Sequence, residues 1–258
     1  MKRFVLALVF CLVAGVAAQA GEKISIGVTP FPHKDIMEVV KQLLAKEGHE
    51  LEIREFTDYV QPNMALSEKQ LFANFFQHIP YLDNMNEEGK LGLAWIAKVH
   101  IEPLGLYSNK IKGLDELKAG STIAVPNDPT NEARALRLLE DNGLIKLKEG
   151  ALVTVLDITD NPRNLKFSEL EAALLPRTLD DVTASVINTN FAGEAGLNPS
   201  VDAIVIEGKD SPYANVVVIR AADIGTPAAI ALQKASNSPE VKEYIVKNLI
   251  PKGIVPAF

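Results

Sequence analysis

The sequence predicts an α/β protein with two lobes that are joined by crossing strands. A β-α-β pattern covers residues 24–56, and a second α/β pattern starts at residue 122. Parallel strands need a crossover between them, and that crossover is usually a helix, so each pattern indicates a parallel sheet with helices packed on it. No flexible linker separates the two patterns, which favours two lobes in close contact over two independent domains.

The first pattern is defined by its hydrophobic periodicity. Residues 24–28 form an apolar run typical of a buried strand, and residues 34–47 carry apolar side chains at helical spacing before Gly48. Residues 51–56 alternate between apolar and polar, as a strand with one buried face does. We therefore predict strand, helix and strand in this order.

The second pattern is longer and begins with a predicted strand over 122–125. Cap residues and a proline at 127–130 precede a predicted helix over 131–140, which ends at Asn142-Gly143. Further predicted strands lie at 153–156, 184–187, 203–206 and 215–219, and predicted helices at 227–235 and 239–249. The segment 101–107 is the best candidate for the first crossing between the lobes.

The first twenty residues have the pattern of an export signal. Two basic residues precede an apolar stretch over 4–18, and Ala18-Gln19-Ala20 forms a small-x-small cleavage site, so we expect the mature protein to begin at Gly21. A membrane span is the alternative, but the stretch is shorter than the ~20 apolar residues that a spanning helix needs. Cys11 lies inside the apolar stretch and not at its end, so we do not expect lipid attachment there. We predict a periplasmic or cell-envelope protein, with membrane association left open.

Composition and motifs exclude several classes of function. Removing Lys2 and Arg3 with the signal takes the formal charge from −7 to −9, which argues against nucleic acid and anionic membranes as partners. The chain contains no P-loop, GxGxxG, GxSxG or HExxH motif, and its four histidines lack paired ligand spacing. We therefore expect no enzyme activity, no metal site and no cofactor.

Three clusters of polar and aromatic residues follow predicted strands, at the sheet edge where α/β proteins bind ligands. The first covers 74–82, with 56–59 just before it, and its alternative interpretation is a core segment with a buried histidine. The second covers 125–134, where a helix N-terminus and Arg134 suit an anion, although an ordinary capped helix is equally compatible. The third covers 186–192 and 211–215, where asparagines both donate and accept hydrogen bonds, although asparagine also favours turns.

In this order the clusters resemble the methionine-binding lipoproteins of ABC importers, the MetQ/NlpA family. The resemblance rests on GVTPFPH (27–33), FTDYVQPN (56–63), ANFFQHIPYLD (73–83), AVPNDPTNEARAL (124–136), NPRNLKFSELEAALLPRTLDD (161–181), INTNFAGEAGLNP (187–199) and SPYANVVVIR (211–220). It implies a fold like the type II periplasmic binding proteins, with a ligand cleft between lobe one (22–103 plus 208–258) and lobe two (104–207). It also implies a monomer that binds L-methionine and delivers it to a permease and its ATPase in the inner membrane.

The resemblance also implies roles for individual residues. Arg134 would hold the ligand carboxylate with two bonds, and Asn190 and Asn215 would bind its ammonium and carboxylate groups. The implied ligand-binding set is Tyr59, Phe76, His78, Tyr81, Asn131, Arg134, Asn190 and Asn215. We expect Arg134 to face an open cleft in the empty protein, so that its removal changes stability little.

The sequence departs from the family pattern before the FFQH string, where Phe72 replaces an expected aspartate and a glycine is missing. Within the same class, another amino acid, D-methionine or a short peptide is the alternative ligand. A surface or adhesin-like protein with a reduced pocket is the alternative from another class, which the presence of Arg134, Asn190 and Asn215 argues against. A hydrolase is a third alternative, and it lacks a nucleophile and a metal set.

Overall fold

The computed structural model describes residues 22–208 and 211–258 of the 258-residue chain. The predicted export signal, Cys11 and the predicted cleavage site before Gly21 lie outside these ranges. No helix within them is both long enough and apolar enough to span a bilayer.

The described residues form two main sheets and one small hairpin. In chain order their strands are β1 (Lys23–Val28), β2 (Glu50–Glu55), β3 (Ala73–His78), β4 (Leu93–Ile101), β5 (Gly105–Tyr107), β6 (Thr122–Pro126), β7 (Lys146–Leu147), β8 (Ile158–Asp160), β9 (Lys166–Leu170), β10 (Ala184–Ile187), β11 (Val205–Ile206), β12 (Ala214–Arg220) and β13 (Val255–Pro256). The α-helices within the same ranges are α1 (Asp35–Lys46), α2 (Gln61–Ser67), α3 (Ile79–Gly89), α4 (Pro129–Asp141), α5 (Thr189–Glu194), α6 (Pro199–Asp202), α7 (Pro227–Ser236) and α8 (Pro239–Tyr244).

The first lobe is built on a six-stranded sheet in the order β13-β4-β12-β3-β1-β2. β1 pairs in parallel with β2 and β3, whereas β12 lies antiparallel between β3 and β4. Side chains of β12 alternate between the two faces: Val217 and Ile219 join the core with α1, α7 and α8, and Val216 and Val218 join the core under α2 and α3. A strand buried on both faces reads as the continuous apolar run seen in this segment.

The second lobe is built on a five-stranded sheet in the order β11-β5-β10-β6-β9. β6 pairs in parallel with β9 and β10, and β5 lies antiparallel between β10 and β11. The apolar face of α4 packs on this sheet through Ala135, Leu136, Leu138 and Leu139. The predicted two-lobed α/β fold is therefore confirmed, and the chain crosses between the lobes at 102–104 and again after Ile206.

Two local predictions were wrong. The segment 153–156 is a loop leading into a 3₁₀ turn, in which Val153 is buried but Leu156 is 86% exposed. The strand predicted over 203–206 is limited to Val205–Ile206. The departure at Phe72 does not abolish β3, which spans Ala73–His78, and the Phe72 side chain packs against the core of the first lobe.

Candidate functional site

A small cavity lies between the two lobes, at the end of β3 and the N-terminal ends of α4 and α5. Both crossing regions reach it, through Glu102 in the first and Asn215 in β12. Its lining residues are Tyr59, Phe76, Gln77, His78, Tyr81, Glu102, Asn131, Arg134, Asn188, Thr189, Asn190 and Asn215. All eight residues singled out from the sequence therefore meet here, although their role in ligand binding stays a prediction.

Aromatic rings form one wall of the cavity. The Tyr59 ring lies 5.9 Å from both Phe76 and Tyr81 and 5.0 Å from Phe191 of the second lobe, measured between ring centroids. The Tyr81 hydroxyl donates to the Tyr59 backbone carbonyl at 3.0 Å, which positions the Tyr81 ring. This wall offers an apolar, polarisable surface of the kind that a thioether or an alkyl chain contacts favourably.

His78 is held neutral and in one tautomer. Its Nδ1 accepts the Tyr81 backbone N–H at 3.1 Å, so Nε2 carries the proton and donates to the Asn131 side-chain carbonyl, also at 3.1 Å. Burial, together with the nearby Arg134 charge, lowers the pKa of His78 to about 3. His78 thus serves as a fixed hydrogen-bond donor and as the N-cap of α3.

Asn131 connects the polar residues around it. Its side-chain amide donates to the carboxylate of Asp128, the N-cap residue of α4, and its Oδ1 accepts from both His78 and the Asn188 amide. Because its Oδ1 already accepts two hydrogen bonds, Asn131 positions His78 and Asn188 and has no side-chain acceptor left for a ligand.

Two asparagine atoms of the cavity are buried without a partner. The Asn190 Oδ1 accepts the Tyr59 hydroxyl at 2.6 Å, which leaves the Asn190 Nδ2 unpaired. The Asn188 Nδ2 donates to Asn131 at 2.9 Å, which leaves the Asn188 Oδ1 unpaired. Buried polar groups are ordinarily paired, so this unused donor and unused acceptor indicate a polar ligand.

Asn215 is oriented by a histidine behind it. The Thr29 hydroxyl lies 2.7 Å from the His33 Nδ1, and the His33 Nε2 lies 3.1 Å from the Asn215 Oδ1. Burial lowers the pKa of His33 to about 4, so the ring is neutral and donates from Nε2. The Asn215 carbonyl is therefore occupied, and its Nδ2 is the group left for the cavity.

Glu102 is a cavity residue that sequence reasoning missed. One of its oxygens accepts from the His100 Nε2 at 2.6 Å, and the other accepts the Asn190 backbone N–H at 3.1 Å. Burial raises the pKa of Glu102, and the Arg134 charge and the Asn190 backbone N–H oppose that rise. The side-chain atoms of His33, His100 and Glu102 that could bind a metal ion lie within 4.8 Å of one another. Hydrogen bonds already explain this arrangement.

Arg134 is only 3% exposed and does not face an open cleft, so that expectation was wrong. Its Nε and Nη2 donate to the two carboxylate oxygens of Glu207 at 3.0 and 2.5 Å, and Nη2 also donates to the Glu102 carbonyl at 2.7 Å. The Tyr213 ring covers the guanidinium at 4.1 Å. Among the described residues only Nη1 has no partner, so the expected two-bond grip on a ligand carboxylate is already taken by Glu207.

The cavity therefore offers donors and acceptors in separate sets beside the aromatic wall. Its free donors are the Asn190 Nδ2, the Asn215 Nδ2 and the Arg134 Nη1, whereas its acceptors are the Asn188 Oδ1 and the Glu102 carboxylate. The Thr189 hydroxyl is bound to the Pro103 carbonyl and both His78 nitrogens are engaged, so the described lining residues form no hydroxyl–imidazole pair.

Comparison with known families identifies the chain. The family model described as NlpA lipoprotein matches residues 24–258, which is nearly all of the described structure. The chain belongs to the NlpA lipoprotein family.

Relatives of this NlpA-family protein occur in several bacteria. It is 45% identical to the D-methionine-binding lipoprotein MetQ of Escherichia coli, over 85% of this chain and 83% of that protein. Its fold matches a nutrient-binding protein from Burkholderia cenocepacia bound to methionine, with a TM-score of 0.88, 47% identity and coverage of 91% and 100% of the two chains. An ABC transporter periplasmic substrate-binding protein from Coxiella burnetii matches with a TM-score of 0.87, 46% identity and coverage of 91% and 100%.

Proposed function

We propose that this protein is the extracytoplasmic substrate-binding protein of an ABC importer and binds L-methionine. The observation that carries the proposal is the polarity of the cavity, where unpaired amide donors and a separate set of acceptors lie beside an aromatic wall. A zwitterionic amino acid with an apolar side chain satisfies all three parts. The relatives described as binding methionine or D-methionine support methionine as the ligand.

In the proposed pose, the ligand carboxylate accepts from the Asn190 and Asn215 amides and from the Arg134 Nη1. The ammonium donates to the Asn188 Oδ1 and the Glu102 carboxylate, and the thioether lies on the rings of Tyr59, Phe76 and Tyr81. A carboxylate that leaves water for this cavity loses hydration, so each of these hydrogen bonds is needed to offset that loss.

The ligand is tested by mass spectrometry of the molecule carried through purification, followed by calorimetry on stripped protein. We expect L-methionine to bind more tightly than D-methionine, norleucine and a methionine-containing dipeptide. Norleucine has the same length without sulfur, so it isolates the contribution of the thioether to the aromatic contacts. Tighter binding of D-methionine would transfer the assignment to that isomer, and saturable binding of none of the four would refute the proposed function.

We also propose that the chain is exported as a monomer and serves a permease and ATPase of the inner membrane. The basic, apolar and small-residue pattern of residues 1–20 supports export. Intact-mass analysis of the protein from its native envelope tests this, and we expect a chain beginning at Gly21. A lipid-modified Cys11 at the N-terminus would contradict it.

The lobe boundaries are part of the proposal, with 22–103 plus 208–258 in one lobe and 104–207 in the other. The strand membership of the two sheets supports this division. Two-lobed binding proteins commonly close about a hinge when they bind their ligand. Small-angle scattering should show a smaller radius of gyration with methionine than without it, and identical curves at saturation would contradict closure.

A further inference from the structure

Glu207 lies directly after β11, where the chain leaves the second lobe for the first. Its backbone N–H donates to the Leu104 carbonyl at 2.8 Å, and its carboxylate accepts the Leu104 N–H at 3.3 Å. Leu104 belongs to the first crossing segment. The two crossings therefore meet at Glu207, which is the position of the hinge in the proposed two-lobed binding protein.

Glu207 also controls the guanidinium of Arg134. Both carboxylate oxygens of Glu207 are occupied by the Nε–Nη2 edge of Arg134, in the two-bond geometry that a free carboxylate would otherwise use. The Tyr213 ring covers one face of the Arg134 guanidinium, and Nη2 also donates to the Glu102 backbone carbonyl. The guanidinium nitrogen left without a partner among the described residues is Nη1, and Arg134 lines the cavity.

We propose that Glu207 is the positioning residue of this site: it binds the Nε–Nη2 edge of Arg134 to the crossing segments, so that a ligand carboxylate meets only Nη1. Glu207 does not line the cavity and acts through Arg134. The inference rests on the proposed function, because it concerns the recognition of the carboxylate of an amino acid.

The position of Nη1 depends on both bonds to Glu207. A glutamine at 207 keeps the length of the side chain but has only one acceptor oxygen, and its amide group opposes one of the two guanidinium donors. The guanidinium then has a less defined position, and Nη1 meets the ligand carboxylate less well. A ligand with a neutral amide in place of the carboxylate gains less from this contact, because its oxygen accepts without a negative charge, and it is expected to be less sensitive to the change.

The experiment measures affinities for L-methionine and for methioninamide, in which an amide replaces the carboxylate, by calorimetry and ligand-observed NMR. The proteins are the parent, Glu207→Gln and the control Glu140→Gln. Glu140 pairs with Arg137 at 2.6 Å on the same helix but does not approach the cavity. Failure of the parent to bind L-methionine would refute the proposed function, and this outcome is distinct from the comparison of the two ligands that tests Glu207.

We expect Glu207→Gln to weaken the binding of L-methionine about ten-fold and that of methioninamide less than about two-fold. We expect Glu140→Gln to change neither affinity. An equal loss for both ligands would show a general effect on the cavity, and unchanged binding would show no role. Tighter binding of L-methionine would show that Glu207 competes with the ligand. Each of these three results overturns the proposal. If thermal melting shows that Glu207→Gln is unfolded, Glu207→Asp replaces it, with the same direction expected for the ratio of the two affinities.

Discussion

The Tyr59 hydroxyl of the first lobe donates a hydrogen bond of 2.6 Å to the Asn190 side-chain carbonyl of the second. The bond crosses the cleft, and it fixes which end of the Asn190 amide faces the cavity. Because the oxygen is taken, the amide nitrogen is the group presented to a ligand. A contact between the lobes thus also sets the polarity of the binding site.

Replacing Tyr59 with Phe should weaken methionine binding about two-fold to ten-fold, the usual effect of one neutral hydrogen bond. The ring contacts remain, so the loss reports on the hydroxyl. Tyr107→Phe is the matched control, since the buried Tyr107 hydroxyl has no hydrogen-bond partner and does not line the cavity. Calorimetry on both variants checks the prediction, and equal affinities for the two would contradict it.

The opposite roles assigned to Asn188 and Asn190 give a paired prediction. Asn190→Asp replaces a donor to the ligand carboxylate with a negative charge, so we expect binding to fall about a hundred-fold or more. Asn188→Asp places the same charge beside the ligand ammonium, so we expect a much smaller loss. Fluorescence or calorimetric titration of the two variants is the measurement. A greater loss for Asn188→Asp would mean that the ligand lies in the reverse orientation.

Arg134→Ala should abolish detectable methionine binding and also lower stability. Loss of one partner of a buried charge pair costs roughly 2–5 kcal/mol, or about thirty-fold to several-thousand-fold in affinity. Glu207 loses its partner in this variant, so the free energy of unfolding should fall by about 1–3 kcal/mol in the empty protein. Denaturant unfolding and calorimetry test both parts. Binding within about three-fold of the parent would show that the carboxylate is held elsewhere.

Glu132 should make the protein less stable at neutral pH than at mildly acidic pH. Its burial, together with the nearby Glu169 charge, raises the pKa of Glu132 from 4.5 to about 7. The folded state therefore binds this proton more tightly than the unfolded state, and the stabilising contribution is lost as pH rises from about 4.5 to 7.

Glu132→Gln should increase the free energy of unfolding at pH 8 by about 1–2 kcal/mol and change it little at pH 4.5. Glutamine retains an acceptor for the Val155 N–H, which Glu132 accepts at 3.0 Å. The exposed Glu149→Gln serves as the control in urea unfolding at both pH values. An equal effect of Glu132→Gln at the two pH values would contradict the titration.

Periodicity and turn chemistry predicted much of the fold, because those signals are local. The continuous apolar run of 215–219 identified β12, and the cap and proline of 127–130 placed the start of α4 within two residues. The segment 153–156 failed because its apolar residues serve a loop, with Val153 buried and Leu156 exposed. Short apolar runs do not separate these cases.

The candidate site was predicted in outline for a different reason. Its residues follow strands whose ends meet, so topology alone brings them together. Glu207 was missed because its partner Arg134 lies far away in the chain and no spacing rule links the two. Glu102 was missed because its link to the second lobe, the Asn190 N–H, is equally remote, although His100 is only two residues away. The orientation of Asn188 was likewise inaccessible, since it depends on the two hydrogen bonds that the Asn131 carbonyl already accepts.

The place of β12 in the middle of the first sheet sets an order of assembly. The strands of the second sheet all lie within residues 105–206, whereas the first sheet has a gap between β3 and β4 until residues 214–220 are available. A chain that emerges from its N-terminus can therefore complete the second lobe first, and its N-terminal third waits for the C-terminal segment. In the refolding full-length chain, β3 and β4 are joined only by pairing with the remote β12, which slows that step, so pulsed hydrogen exchange should protect β6 and β10 before β3 and β4. A protein that crosses a membrane unfolded would gain from this delay, because its leading segment cannot form a stable sheet before the rest of the chain has followed.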